Sequence, residues 1–425
     1  MLITELYQHF LSHQSVQTDT RKLKPGELFF ALKGPNFNAN NFAQQALDKG
    51  AAFAVVDDYY GPPDNRIIRV DDVLFCLQQL AKHHRLQFNI PFIAITGSNG
   101  KTTTKELLHQ VMSSTFKTYA TQGNLNNHIG IPLTLLNIKA DAEIALIEMG
   151  ANHQHEIEAY CRYTLPTHGI ITNCGKAHLE GFGGIDGVRK GKGELYDHLR
   201  VNNGTAFIMW DYDYLRNMST GIPVIKTYGT HDAEITGKVK NSSGFLEINI
   251  TKGAGLEIIE TQLIGDYNLP NVLAALTIGK YFNVTEDKIK SALENYIPSN
   301  SRSQLILKEG NRILLDTYNA NPTSMKAAIE NFAKMNGSNK ILMLGGMMEL
   351  GSESIAEHQS IIRLISGFKW KDVVLVGGDF LNIQHPYISF ENSIQAREWL
   401  QGQHFTDSQL LIKGSRSTEM EKVLG

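Results

Sequence analysis

The chain has 425 residues, 42% of them hydrophobic and 20% charged, with a formal net charge of −3. Such a length exceeds one hydrophobic core and suggests about three domains, while the near-balanced charge gives no electrostatic case for nucleic acid or an anionic membrane surface. Cys76, Cys161 and Cys174 are scattered without a Cys-x-x-Cys pair, which argues against a zinc site or a disulfide framework.

The opening Met1-Leu-Ile-Thr-Glu-Leu lacks a leader's basic start and apolar run, and no later stretch is apolar for a bilayer's thickness. A soluble cytoplasmic enzyme is expected. The first block runs to about residue 88, with β-like runs at Glu27–Leu32, Ala51–Val56 and Arg66–Val70 around a helix at Phe42–Lys49 that Gly50 stops. The pair His83-His84 reads as surface, and the polar stretch Arg85–Pro91 as a junction.

The second block, 89–297, alternates apolar strands with helical patterns, the signature of a mainly parallel, helix-covered sheet. Its strand Pro91–Thr96 runs into Gly97-Ser98-Asn99-Gly100-Lys101-Thr102, and a helix is expected from Thr103. Glycines there let backbone N–H groups converge on an anion, Lys101 reaches the terminal phosphates, and Thr102 can hold Mg2+. Ile95 stands where the longer P-loop pattern has glycine, so the loop is the short Gly-x-x-Gly-Lys-Thr form. The chain is therefore expected to bind and spend a nucleoside triphosphate.

Two further strands, Glu143–Ile147 and His168–Asn173, are followed by polar clusters at Glu148–Asn152 and His178–Gly183. Ligands of open α/β sheets lie outside the carboxyl ends of strands, so three strand ends point to one site. Glu148 stands where a P-loop enzyme places a carboxylate that helps anchor Mg2+. Lys190-Gly-Lys-Gly-Glu194 reads by itself as a solvated basic helix start, and His153-Gln-His155-Glu156 lacks the third ligand a metal site needs.

The Pro/Ser/Asn-rich Tyr296–Arg302 links to a third block, 298–425, with strands at Arg312–Leu315, Lys340–Leu344, Asp372–Val376 and Gln409–Ile412. A second, smaller doubly wound sheet is the economical reading.

Together, Thr96–Thr104, Gly123–Pro132, Glu148–His153, Gly175–Gly183, Asp316-Thr-Tyr-Asn-Ala-Asn-Pro322 and Lys413-Gly-Ser-Arg416 resemble the Mur ligases, ATP-dependent amide-forming enzymes of peptidoglycan precursor synthesis. The Tyr-Asn-Ala-Asn-Pro and Lys-Gly-Ser-Arg segments look like the branch that joins D-alanyl-D-alanine to UDP-N-acetylmuramoyl-tripeptide. The resemblance implies an α/β chain of three domains. These are a small UDP-substrate domain (1–88), a central P-loop ATPase-type domain with a mainly parallel sheet (89–297), and a C-terminal Rossmann-like domain (298–425). The last would bind the dipeptide and close over ATP.

The resemblance also assigns residues. Gly97, Ser98, Asn99, Gly100, Lys101, Thr102 and Thr103 would cradle the triphosphate; Thr102, Glu148, His178 and a carbamylated Lys192 would serve Mg2+, with Lys101, Glu148, His178 and Lys192 as catalytic groups. Asn268 and Asn271 would lie at adenine, with Arg302, Asp316 and Asn319 closing over the nucleotide. Thr20 and Arg21 would hold the UDP end, and Lys413, Ser415 and Arg416 the substrate side. Two segments depart from the family's usual residues: Asp266-Tyr267-Asn268 replaces Arg-His-Asn, and Phe37-Asn38-Ala39-Asn40 replaces Phe-Asp-Gly-His. A monomer with no nucleic-acid or membrane partner is expected. Competing readings are a sister ligase adding one amino acid, a folylpolyglutamate synthase-like ligase, and a non-enzymatic NTP-dependent switch.

Overall fold

The computed structural model describes residues 2–299 and 301–425. Among the described residues, three large sheets organise the chain, beside a two-stranded ribbon of Lys33–Gly34 with Phe37–Asn38. The first is four-stranded and parallel, in the order Val16–Gln17, Leu28–Phe30, Phe53–Val56, Ile67–Arg69. Phe29, Ala54 and Val56 of its strands are buried with Leu47, Ala43 and Ala46, a core in which alanine is the commonest residue.

The second sheet has nine strands, ordered Ile258–Ile264, Phe245–Lys252, Ile235–Asn241, Val224–Gly229, Thr205–Met209, His168–Ile171, Phe92–Thr96, Ile144–Glu148, Thr118–Ala120. Its inner strands are continuous apolar runs, every residue of Phe92–Thr96 and Ile144–Glu148 being buried, as a sheet covered on both faces requires. The three strands between Ile235 and Ile264 pair antiparallel. Burial alternates along Phe245–Lys252 and through most of Ile258–Ile264, the pattern of a ribbon with one wet face. The sequence reading, tuned to apolar runs, passed over that ribbon.

The third sheet runs Gln304–Lys308, Asn311–Asp316, Gln409–Lys413, Lys340–Gly345, Asp372–Val376, Ile388–Phe390. Only its first pair is antiparallel. Ile341, Met343, Val374 and Ile412 form its buried centre. Both edge strands, Gln304–Lys308 and Ile388–Phe390, are additions to the four strands read from sequence. Of the expected linker Tyr296–Arg302, Asn300 lies outside the described residues.

By internal contacts the chain forms two compact units: Met1–Ala94 with Phe116–Ala151 and His155–Gly169, and Ile95–Thr115 with Asn152–Gln154 and Ile170–Gly425. In the first unit one expectation fails. His84 is buried, not surface: its ring contacts Tyr7 Oη at 3.0 Å and the Ile138 carbonyl at 2.9 Å. Arg85 is buried beside it, donating to the carbonyls of Thr164 (2.9 Å) and Leu165 (3.0 Å) and lying 3.6 Å from the centre of the Phe92 ring. Burial pushes its guanidinium down to about 10. The polar look of this stretch hides groups that find their partners inside.

Candidate active site

The helix after the glycine loop spans Lys101–Ser113, two residues earlier than expected, with Gly100 at its N-cap. Gly100 has φ +79°, and an added Cβ would stand 2.7 Å from Asn271 Oδ1. At Gly97, φ is +142° and a Cβ would meet Thr172 Oγ1 at 2.0 Å. A side chain at either position would strain the backbone and crowd Asn271 or Thr172, so this close packing of the loop on its neighbours favours glycine.

Neighbouring segments hold the loop from several sides. Ser98 N–H donates to the Asn173 carbonyl (2.9 Å) and its hydroxyl to the Gly175 carbonyl (2.9 Å). Asn99 N–H donates to Asn173 Oδ1 (3.1 Å), while the Asn99 carbonyl accepts from Thr172 Oγ1 (2.6 Å) and Asn173 Nδ2 (3.1 Å). Lys101 Nζ donates to the Gly97 (2.7 Å) and Ser98 (3.3 Å) carbonyls, which curls the ammonium over the loop. Thr102 is buried in the first helical turn and Thr103 half-buried beside it.

Asn271 and Asn268 are buried at the start of the helix Leu269–Tyr281, which packs on the loop's helix. Asn271 accepts from Thr104 Oγ1 (3.1 Å) and donates to Asn268 Oδ1 (2.8 Å); Asn268 donates to the Ile264 carbonyl (2.9 Å). These amides brace the cradle from below. Where the family's usual Arg-His is replaced, Asp266 pairs with Lys334 (3.5 Å) and Tyr267 Oη shares a hydrogen bond with Ser303 Oγ (3.0 Å).

Asp316 and Lys413 are register partners on adjacent parallel strands, which explains their 2.5 Å ion pair. Asp316 also accepts from Ser303 N–H (3.2 Å), and Lys413 donates to the Asn319 carbonyl (3.2 Å). Lys413 is thus buried and committed to shaping the Asp316–Asn319 turn. Ser415 Oγ accepts from Met348 N–H (3.0 Å), and the exposed Arg416 pairs with Glu421 (3.1 Å). Arg302 stacks on Tyr318, 3.5 Å from the ring centre.

His178 Nδ1 lies 2.5 Å from Glu349 Oε2, and the imidazole holds that carboxyl below its ordinary range. Lys192, far from a solvated helix start, is buried with its ammonium 4.9 Å from the Phe182 ring. In the first unit Glu148 is the last residue of its strand and buried; its carboxylate accepts from Asn126 Nδ2 (2.8 Å) and its N–H donates to Thr121 Oγ1 (3.0 Å). Arg21 is exposed and doubly bonded to Asp19, while the Thr20 carbonyl accepts from Lys49 Nζ (3.0 Å). Among the described residues, no three or more His, Cys, Asp or Glu side chains gather as for a metal ion.

Sequence reasoning missed Glu349, the partner of His178, and Asn321, whose amide donates to Asn99 Oδ1 (2.8 Å). An asparagine directly before a helix-opening proline is a capping signal that could have drawn attention to the latter.

A glycine cradle between a buried parallel strand and a helix defines a P-loop nucleotide-binding fold. The family description "Mur ligase middle domain" matches residues 95–279, and "Mur ligase, glutamate ligase domain" matches 301–417. The chain belongs to the Mur ligase family. Among its relatives, UDP-N-acetylmuramoyl-tripeptide–D-alanyl-D-alanine ligase of Bacillus subtilis is 33% identical over 98% of this chain and 93% of its own. The Escherichia coli ligase of the same name is 34% identical, covering 99% and 95%. The crystal structure of MurF from Acinetobacter baumannii superposes with a TM-score of 0.88 at 30% identity, over 98% of this chain and 97% of that one. MurF ligase from Thermotoga maritima, solved in complex with ADP, also gives 0.88, at 25% identity and 97% of each chain.

Proposed function

We propose that this chain is an ATP-dependent, ADP-forming ligase that joins D-alanyl-D-alanine to UDP-N-acetylmuramoyl-tripeptide in cytoplasmic peptidoglycan precursor synthesis. The observation that carries the reading is the braced Gly97–Thr102 cradle in a chain alike, end to end, to ligases of that name.

A carboxylate and an amine do not condense in water, because the carboxylate is a poor electrophile. In the first step an acceptor carboxylate oxygen attacks the γ-phosphorus, the bond to the bridging oxygen breaks, and ADP leaves. The dipeptide's amine then attacks the acyl carbon, inorganic phosphate departs, and the nitrogen gives up a proton. The chain's own part is positioning and charge neutralisation: the helix N-terminus that follows Gly100, together with Lys101, would face the phosphates. Magnesium favours hard oxygen donors alongside nucleotide phosphates, which suits the Thr102 hydroxyl and the Glu148 carboxylate. His178 offers only nitrogen, and Lys192 would offer oxygen only once carbamylated. When bound, the ion would neutralise charge on the transferring phosphoryl group.

The division into a UDP-substrate domain (1–88), an ATP domain (89–297) and a closing dipeptide domain (298–425), working as a monomer, belongs to the same proposal. Thr20 and Arg21 would serve the UDP end, and the turn held by Lys413 the dipeptide side. The test is phosphate release with UDP-N-acetylmuramoyl-tripeptide, with and without D-alanyl-D-alanine, beside single amino acids and folate acceptors. Release dependent on both the tripeptide and the dipeptide is expected. Equal release with a single amino acid would assign a sister activity, and release without any acceptor would assign a switch.

A further inference from the structure

Asn321 does two things with one amide. It is the N-cap of the helix Pro322–Lys334, where its Oδ1 accepts from Ser324 N–H (2.9 Å). Its Nδ2 donates to Oδ1 of Asn99 in the phosphate cradle, 2.8 Å away and 222 residues earlier in the chain. The capping bond fixes which end of the Asn321 amide faces which way, because only the oxygen can accept a backbone N–H. The nitrogen must then face Asn99, and Asn99 must answer with its oxygen. A flipped Asn99 would set two donors against each other.

Asn99 Nδ2 is what remains. That atom is buried and, among the described residues, has no hydrogen-bond partner. The residue's N–H and carbonyl are already satisfied by Thr172 and Asn173. Buried donors without partners are rare enough to call for a reason.

We infer that Asn321 is a positioning residue for phosphoryl transfer: by fixing the Asn99 amide it leaves Nδ2 free to donate to a phosphate oxygen of the bound nucleotide. The cradle is then complete only when the Asp316–Pro322 turn is seated on it. The inference rests on the ligase reading above, and the two can fail separately.

The test compares Asn321→Asp with Asn321→Ser. Aspartate keeps the cap, but its second oxygen now faces Asn99, which must flip, turning its nitrogen to the aspartate and its oxygen to the phosphates. Serine keeps the cap and simply withdraws, leaving Asn99 able to adopt either orientation. Asn321→Asp should hold the wild-type melting temperature yet lose on the order of ten- to a hundredfold in kcat, the worth of one charge-assisted hydrogen bond. Asn321→Ser should lose less, and Asn321→Asp should cost nothing further in an Asn99→Ala background. Equal losses in the two Asn321 variants, or an additive loss in the Asn99→Ala background, would overturn the inference.

A second measurement needs no variant. The Asn99 side-chain amide resonance should shift when wild-type protein binds a non-hydrolysable ATP analogue with magnesium, and an unmoved resonance would also overturn it. If wild-type protein makes no product, the ligase reading fails; if it ligates while the Asn99 amide stays unmoved, only the role given to Asn321 fails.

Discussion

Gly97–Thr102 and Thr18–Arg21 are both short polar segments that leave a parallel strand, yet they are built in opposite ways. The first is held by Thr172, Asn173 and Asn321, drawn from segments far apart in the chain. The second is held mostly by itself: Thr18 and Asp19 N–H donate to Gln17 Oε1 at 3.0 and 3.1 Å, and Arg21 pairs with Asp19. The Arg21 side chain is 86% exposed, and that guanidinium holds the Asp19 carboxyl at about 2. A cradle preorganised by buried neighbours acts on the transition state, whereas an exposed strip can only tune capture of a substrate.

Breaking the cradle's charge should do most. Lys101→Ala is expected to lose on the order of a hundredfold or more in kcat, about 3–4 kcal/mol of barrier, with little change in melting temperature. Near-normal turnover would contradict the role given to the ammonium. Next comes geometry. Gly100→Ala pushes a methyl against Asn271 Oδ1 from a left-handed backbone, so both nucleotide affinity and stability should fall, the latter by about 1–2 kcal/mol. Titration with a fluorescent ATP analogue and chemical denaturation read the two effects.

Arg21→Ala should sharpen the contrast from the other side. It is expected to raise KM for the UDP-substrate several-fold while kcat and the melting temperature stay put. A fall in kcat with unchanged KM would show that the strip shares the cradle's work.

The smallest effect lies in the buried junction of the first unit. Burial pushes His84 below its ordinary 6.5, so the folded chain binds fewer protons there than the unfolded chain. The stability this contributes is complete above about pH 6.5 and is lost as pH falls from there toward the folded value. His84→Gln should therefore lessen the fall of the denaturation free energy as pH drops below about 6.5. His168, pushed down to about 4 by burial, and His358, also lowered, leave a residual slope. An unchanged slope in His84→Gln would remove His84 from the account.

What was legible in the sequence follows the same division. The cradle announces itself because strand, glycines, Lys101 and Thr102 are contiguous, and the apolar runs of the parallel strands name their sheets. The braces do not announce themselves. Nothing local says that Asn321 will meet Asn99 or that Glu349 will meet His178, since both pairings are made by the way strand ends are arranged in space. His84 looks like surface and Arg85 like the start of a junction because a polar side chain carries no mark of a waiting buried partner. Lys192 reads as a solvated base from its neighbours, yet it is buried. The ribbon between Ile235 and Ile264 is hard to read because strands that mix polar with apolar residues give a weaker signal than an apolar run.

The central claim is that the cradle delivers a phosphoryl group to a carboxylate before an amine captures it. UDP-N-acetylmuramoyl-tripeptide carrying oxygen-18 in its terminal carboxylate tests this directly when turned over with ATP and D-alanyl-D-alanine. The account predicts that the released inorganic phosphate carries oxygen-18 from that carboxylate. Product formed with unlabelled phosphate would contradict it.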